Sequence, residues 1–182
     1  MVAIMPNSRG AIQSPPVIGN GRIFTTDAQG VVKAWTWPGM KQLWSHQPAP
    51  AKSRSTNIGG GVALEGDTLY IVDGVAQALA VDAATGKVKW TVDLGTPGRS
   101  APTIADGLVV FGTIDERLFA LEAATGRQVW TYQATGADTV VFGQAAPAIV
   151  DGVVLAGFGS GDLVALRATS GEMVWSDSLG GA

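Results

Sequence analysis

Tryptophan recurs along this chain with a long and nearly fixed period. Trp44, Trp90, Trp130 and Trp175 stand 46, 40 and 45 residues apart. Ten positions before each lies an alanine: Ala34, Ala80, Ala120 and Ala165. Four positions before three of them lies a glycine: Gly86, Gly126 and Gly171. The best-formed copies read ALAVDAATGKVKW, LFALEAATGRQVW and LVALRATSGEMVW. A second glycine recurs upstream as Gly21, Gly66, Gly107 and Gly152, and Pro16, Pro102 and Pro147 precede it in three copies. A repeat of this length specifies a stacked architecture, in which each unit buries its apolar faces against its neighbours.

Each unit has one grammar. A short apolar stretch such as PTIA leads through a DG turn into a β-branched run, LVVFGT. A second turn leads to the strand that carries the alanine, and the ATG turn delivers the strand that carries the tryptophan. That predicts four short strands per unit, with no window long enough for a helix. Leu118 and Ala120 point to one face and Phe119 and Leu121 to the other; Leu163 and Ala165 oppose Val164 and Leu166 likewise. Both faces are apolar, so each sheet is covered on both sides. The fold class is all-β: a β-propeller of four-stranded antiparallel blades with four blades present. The chain, 1–182, is read as a single partial propeller with blades at about 15–50, 58–97, 98–136 and 143–180. The recurrent Ala and Gly offer a flat surface to each indole, which makes the tryptophans structural spacers between blades.

Composition narrows the function. The 15% charged residues and net charge of −3 leave no basic stripe for nucleic acid. There is no cysteine, hence no disulfide, thiolate metal site or cysteine nucleophile. No apolar run reaches the ~18 residues of a membrane span. The start, MVAIMPNSRG, lacks the apolar core of a signal peptide.

The motif A-x-[DE]-A-x-T-G-x-x-x-W, as in Ala80–Trp90 and Ala120–Trp130, resembles the pyrroloquinoline-quinone-type propeller repeat. That superfamily includes quinone-dependent dehydrogenases and the BamB branch of outer-membrane protein assembly factors. The segment from Ile58 to Trp90, with its Gly60-Gly61-Val62 start, is similar to the BamB branch. The resemblance implies a non-enzymatic periplasmic scaffold, without cofactor or metal, associated with the outer membrane in the full-length protein through a lipid anchor this chain lacks. Its implied partner is the barrel-forming assembly subunit, BamA. The branch looks like eight-bladed rings, so four blades imply half a ring or a truncated piece. The open blade faces are candidate association sites, and two copies pairing into one ring is one way to cover them.

The alternative is a fragment of a quinone-dependent dehydrogenase; another is a propeller repeat protein with a different partner. The dehydrogenase pattern brings acidic and amide calcium ligands, a catalytic aspartate and often a vicinal cysteine pair. Here the acids sit in turns: Asp27, Asp82, Asp106, Glu122 and Asp151. Asp115 and Glu116 are adjacent, but a hairpin turn in TIDERL explains them. His46 is the single histidine, so no Ser–His–acid triad is proposed, and it is expected to be exposed. GFGSGD (157–162) is read as a hairpin turn, because no helix follows it. NIGGGV (57–62) marks close backbone approach. Trp35 and Trp37 occur only in the first unit, either as local core or as an aromatic anchor for a partner. Met40 replaces the repeat glycine there.

The BamB contact loop has the form L-R-G-E-S-A-P. Two stretches resemble it: VFGQAAP (141–147) by blade order, and TPGRSAP (96–102) by letters. The first is favoured, which makes Val141, Phe142, Gly143 and Gln144 the candidate partner-binding residues. Phe142 stands where the family has arginine, and Arg99 is a candidate substitute cation.

Overall fold

A computed structural model describes residues 14–27, 30–47, 60–134 and 145–178. Blade one comprises β1 (Val17–Gly19), β2 (Arg22–Thr26), β3 (Val32–Thr36) and β4 (Gln42–His46). Blade two comprises β5 (Gly61–Glu65), β6 (Thr68–Val72), β7 (Gln77–Asp82) and β8 (Val88–Asp93). Blade three comprises β9 (Thr103–Ala105), β10 (Leu108–Gly112), β11 (Arg117–Glu122) and β12 (Gln128–Gln133). Blade four comprises β13 (Ala148–Val150), β14 (Val153–Gly157), β15 (Asp162–Arg167) and β16 (Met173–Ser178). Each sheet runs in simple sequence order, and every pair is antiparallel. Among the described residues the first strands of successive blades touch in turn, β1 to β5, β5 to β9 and β9 to β13. They form the inner rim of an arc of propeller blades.

The turns explain the glycines. In the DG-type turn between the first two strands, Asn20, Asp106 and Asp151 adopt positive φ, and so do the glycines that follow them. Asn, Asp and Gly tolerate this left-handed region better than other residues.

One irregularity recurs in all four blades. The ladder between the third and fourth strands slips directly after the repeat alanine: between Ala34/Trp35, Ala80/Val81, Ala120/Leu121 and Ala165/Leu166. Each alanine stays paired with its own tryptophan, as in Ala120↔Trp130. The bulge is a repeated device that sets the direction of the indole.

The core lies between blades. Phe24, Val32 and Ala34 meet Val62, Leu69, Ile71 and Leu79 across the first junction. Tyr70, Val72 and Ala80 meet Val109, Phe111, Phe119 and Leu121 across the second. Val110, Leu118 and Ala120 meet Val154, Ala156, Val164 and Leu166 across the third. The alternation of β11 is as the sequence indicates, with Leu118 and Ala120 facing blade four and Phe119 and Leu121 facing blade two.

Candidate functional site

The junctions are built by the repeat residues. The Trp44 indole N–H donates to the Ala83 carbonyl at 3.1 Å, that of Trp90 to Ala123 at 2.9 Å, and that of Trp130 to Ala168 at 2.7 Å. The ring lies flat on the glycine three residues further on. A Cβ on Gly86 would come within 2.8 Å of the Trp44 ring; at Gly126 and Gly171 the figure is 2.7 Å to Trp90 and Trp130. Each indole therefore reaches forward into the next blade, and Gly86, Gly126 and Gly171 seat the tryptophan of the blade before. The glycine in a blade thus lies against its neighbour's indole.

The two outer faces differ. On blade four Trp175 is 44% exposed, beside exposed Met173 and Val174. On blade one Ile18 and Trp37 are 59% and 52% exposed. The first-unit tryptophans part company. Trp35 is buried in blade one, and its N–H donates to Thr25 Oγ1 at 3.3 Å. Trp37 lies beyond the end of β3 and is open to solvent.

The linker between blades two and three carries a polar cluster that sequence reading missed. Arg99 is buried, and its guanidinium pairs with the buried carboxylate of Glu116. Glu116 also accepts the Gly159 N–H from blade four at 2.9 Å, so one side chain ties the linker and two blades. Arg99 was a candidate surface cation; its side chain is only 4% exposed, and its charge is engaged inside. The signal lay in Glu116 itself. It has φ +61 at the turn position held by Gly30, Ala76 and Gly161, all with positive φ, and it alone among these carries a charge there.

The other acids act in turns. Asp82 accepts the Ala84 and Thr85 N–H groups and the Thr85 hydroxyl, and the Thr85 bonds hold its carboxyl below the usual range. Glu122 is held low in the same way by the Thr125 hydroxyl and then Arg127. Burial pulls the Asp115 carboxyl up, but the bonds from Arg117 and Thr113, at 2.6 Å each, outweigh it and hold it low. Asp73 differs. Its Oδ1 accepts the Val75 and Gln77 N–H groups, its Oδ2 is buried without a partner, and burial pushes its carboxyl up. His46, expected to be exposed, is half-buried on β4, and desolvation lowers its pKa.

GFGSGD forms a hairpin turn in which the Phe158 N–H donates to the Asp162 carbonyl at 2.8 Å. Gly61 of NIGGGV packs closely, since a Cβ there would meet Ala101 at 2.7 Å. Val141, Phe142, Gly143 and Gln144 lie outside the described residues. Among the described residues no group of three or more His, Cys, Asp or Glu side chains comes together to hold a metal. No helix there is long and apolar enough to cross a membrane.

Comparison with known proteins agrees with this geometry. The outer membrane protein assembly factor BamB of Moranella endobia is 29% identical over 121 residues, covering 64% of this chain and 31% of the relative. Quinohemoprotein alcohol dehydrogenase ADH IIB of Pseudomonas putida is 27% identical over 150 residues, covering 74% of this chain and 22% of the relative. The crystal structure of BamB from Moraxella catarrhalis superposes with a TM-score of 0.80 at 25% identity, covering 92% of this chain and 49% of that one. The chain thus spans 31% of the first of these relatives and 49% of the solved BamB structure. The family model described as outer membrane protein assembly factor BamB matches residues 28–182, and with its repeat grammar and blade geometry in agreement, the chain belongs to that family.

Proposed function

We propose that this chain acts as a non-enzymatic BamB-type scaffold at the periplasmic side of the outer membrane, where it binds the barrel-forming subunit BamA. The family match over residues 28–182 is the observation that carries this reading. A rigid arc of blades suits such work, because rigid strands present loops whose sequence is free to vary. The segment Val141–Gln144, in the connection from β12 to β13, is proposed to carry the contact. Arg99 is proposed to act from within, holding the neighbouring linker on Glu116.

The test is a titration of the chain against the periplasmic domains of BamA. Replacing Phe142 with Ala and Gln144 with Asp is expected to weaken binding at least about tenfold, or 1.4 kcal/mol, with an unchanged circular dichroism spectrum. Unchanged affinity would overturn the assignment of the loop, and no binding by the wild type would overturn the scaffold reading.

The similarity to a quinohemoprotein dehydrogenase over 150 residues supports a second reading, a fragment of a quinone-dependent enzyme. Titration with pyrroloquinoline quinone and calcium separates the two. Saturable binding favours the enzyme, and an unchanged melting temperature favours the scaffold.

A further inference from the structure

The turn between the first and second strands holds two residues in every blade: Asn20-Gly21, Gly66-Asp67, Asp106-Gly107 and Asp151-Gly152. Blades three and four share Asp-Gly, and the first two blades each depart from it. The two departures face one another. Asn20 Nδ2 donates to the Gly66 carbonyl at 2.8 Å and to Asp67 Oδ1 at 3.3 Å, so this amide ties the turn of blade one to that of blade two. Both turns are exposed to water.

Asn20 is also the one asparagine of the chain that precedes a glycine. That dipeptide has its own chemistry. The Gly21 nitrogen gives its proton to solvent and bonds to Asn20 Cγ. The Cγ–Nδ2 bond breaks and ammonia leaves. Water then opens the ring imide at either C–N bond, giving aspartate or isoaspartate, and nothing is oxidised or reduced. A Cβ on Gly21 would meet nothing within 4 Å, so solvent reaches the turn from that side. Arg22 donates to the Asn20 main-chain carbonyl at 3.0 Å, and its charge beside the Gly21 peptide eases loss of the proton.

The fold holds this reaction back. Asn20 and Gly21 lie at φ +52 and +67, the paired left-handed positions of a tight hairpin turn. Bonded to Gly66, the amide reaches across the junction, whereas ring closure needs it turned back onto the Gly21 nitrogen. The turn must first lift from blade two, which is a local opening and not unfolding of the chain. The product cannot restore the tie. A carboxylate has no hydrogen to give to the Gly66 carbonyl, and it would stand beside the carboxylate of Asp67.

We propose that Asn20-Gly21 is a self-modification site gated by the contact of its turn with blade two, and that deamidation there loosens the first blade junction irreversibly.

Peptide mass spectrometry of wild type held in warm, mildly alkaline buffer reads the conversion, and chromatography separates aspartate from isoaspartate. Conversion at Asn20 is expected to be at least about tenfold slower in the folded protein than in urea, a factor set by the opening equilibrium. G21A, compared in urea, is expected to lose most of the conversion. N20D, one of the two products, is expected to melt below wild type. D67N sets an amide opposite the new carboxylate, so N20D is expected to cost less in a D67N background. Equal rates in the folded protein and in urea would overturn the gate. No conversion in urea would overturn the site, and an N20D variant with the melting midpoint of wild type would overturn the loosening.

Discussion

Trp130 and Gly171 lie in different blades, and the indole of one occupies the space that a side chain on the other would need. The same indole donates its N–H to Ala168, three residues before that glycine, at 2.7 Å. One residue pair thus couples a ring, a carbonyl and a left-handed turn across a blade boundary. On the outer face of blade four the corresponding indole, Trp175, has no such partner among the described residues and is 44% exposed.

The contrast between Trp130 and Trp175 follows. Trp130 is 6% exposed, whereas Trp175 is 44% exposed on the outer face of blade four. Replacing Trp130 with Phe deletes the donor to a buried carbonyl and is expected to cost about 2 kcal/mol. The same change at Trp175 is expected to cost under about 0.5 kcal/mol. Urea unfolding of the two variants measures both.

Arg99 and Glu116 form a buried ion pair. Removing either partner strands a charge that has left water, so R99M and E116Q are each expected to cost about 3 kcal/mol. The double variant is expected to be more stable than the sum of the single losses. Equal additive losses in a double-mutant cycle would show that the two side chains do not interact.

Much of this was legible in the sequence because the junction is made from side chains at fixed spacing. The period of the tryptophans, the alanine ten before and the glycine four before are three views of one contact, and all survive in the linear chain. The alternation of Leu118 to Leu121 was equally open to reading, since a strand covered on both faces is apolar on both. The Arg99–Glu116 pair was not legible. Its members stand 17 residues apart in two irregular segments, and no periodicity relates them. Trp35 and Trp37 share a parity that suggests one face, but β3 ends at Thr36, so the second tryptophan leaves the sheet and enters the turn.

Asp73 sets a pH dependence of unusual sign for a carboxylate. Its folded pKa lies above the ordinary value of 3.8 because burial opposes the charge. The folded state holds this proton more tightly, so the contribution is present in acid and is lost as pH rises from 3.8 through the folded pKa. Relative to D73N, wild type is expected to lose stability between acid and neutral pH. Denaturation of both proteins across that range checks it. A wild type that gains on D73N as pH rises would contradict the burial argument.

His46 acts in the opposite direction. Desolvation places its folded pKa below 6.5, so the unfolded chain binds the proton more readily. Stability is expected to be full above 6.5 and to fall as pH drops through the folded value. H46Q removes that component, which unfolding curves on either side of the window resolve.

Each blade is locked to the next by an indole resting on a glycine, and two glycines isolate that contact. Gly107 and Gly126 have nearly the same φ, +75 and +76, but a Cβ on Gly107 meets nothing within 4 Å while one on Gly126 meets Trp90 at 2.7 Å. Left-handed strain alone is expected to cost about 1–2 kcal/mol in G107A. The unfolding free energy of G126A is expected to fall further by at least about 1 kcal/mol, because the ring must move. Equal losses in the two variants would mean that the indole resting on Gly126 does not lock the blades.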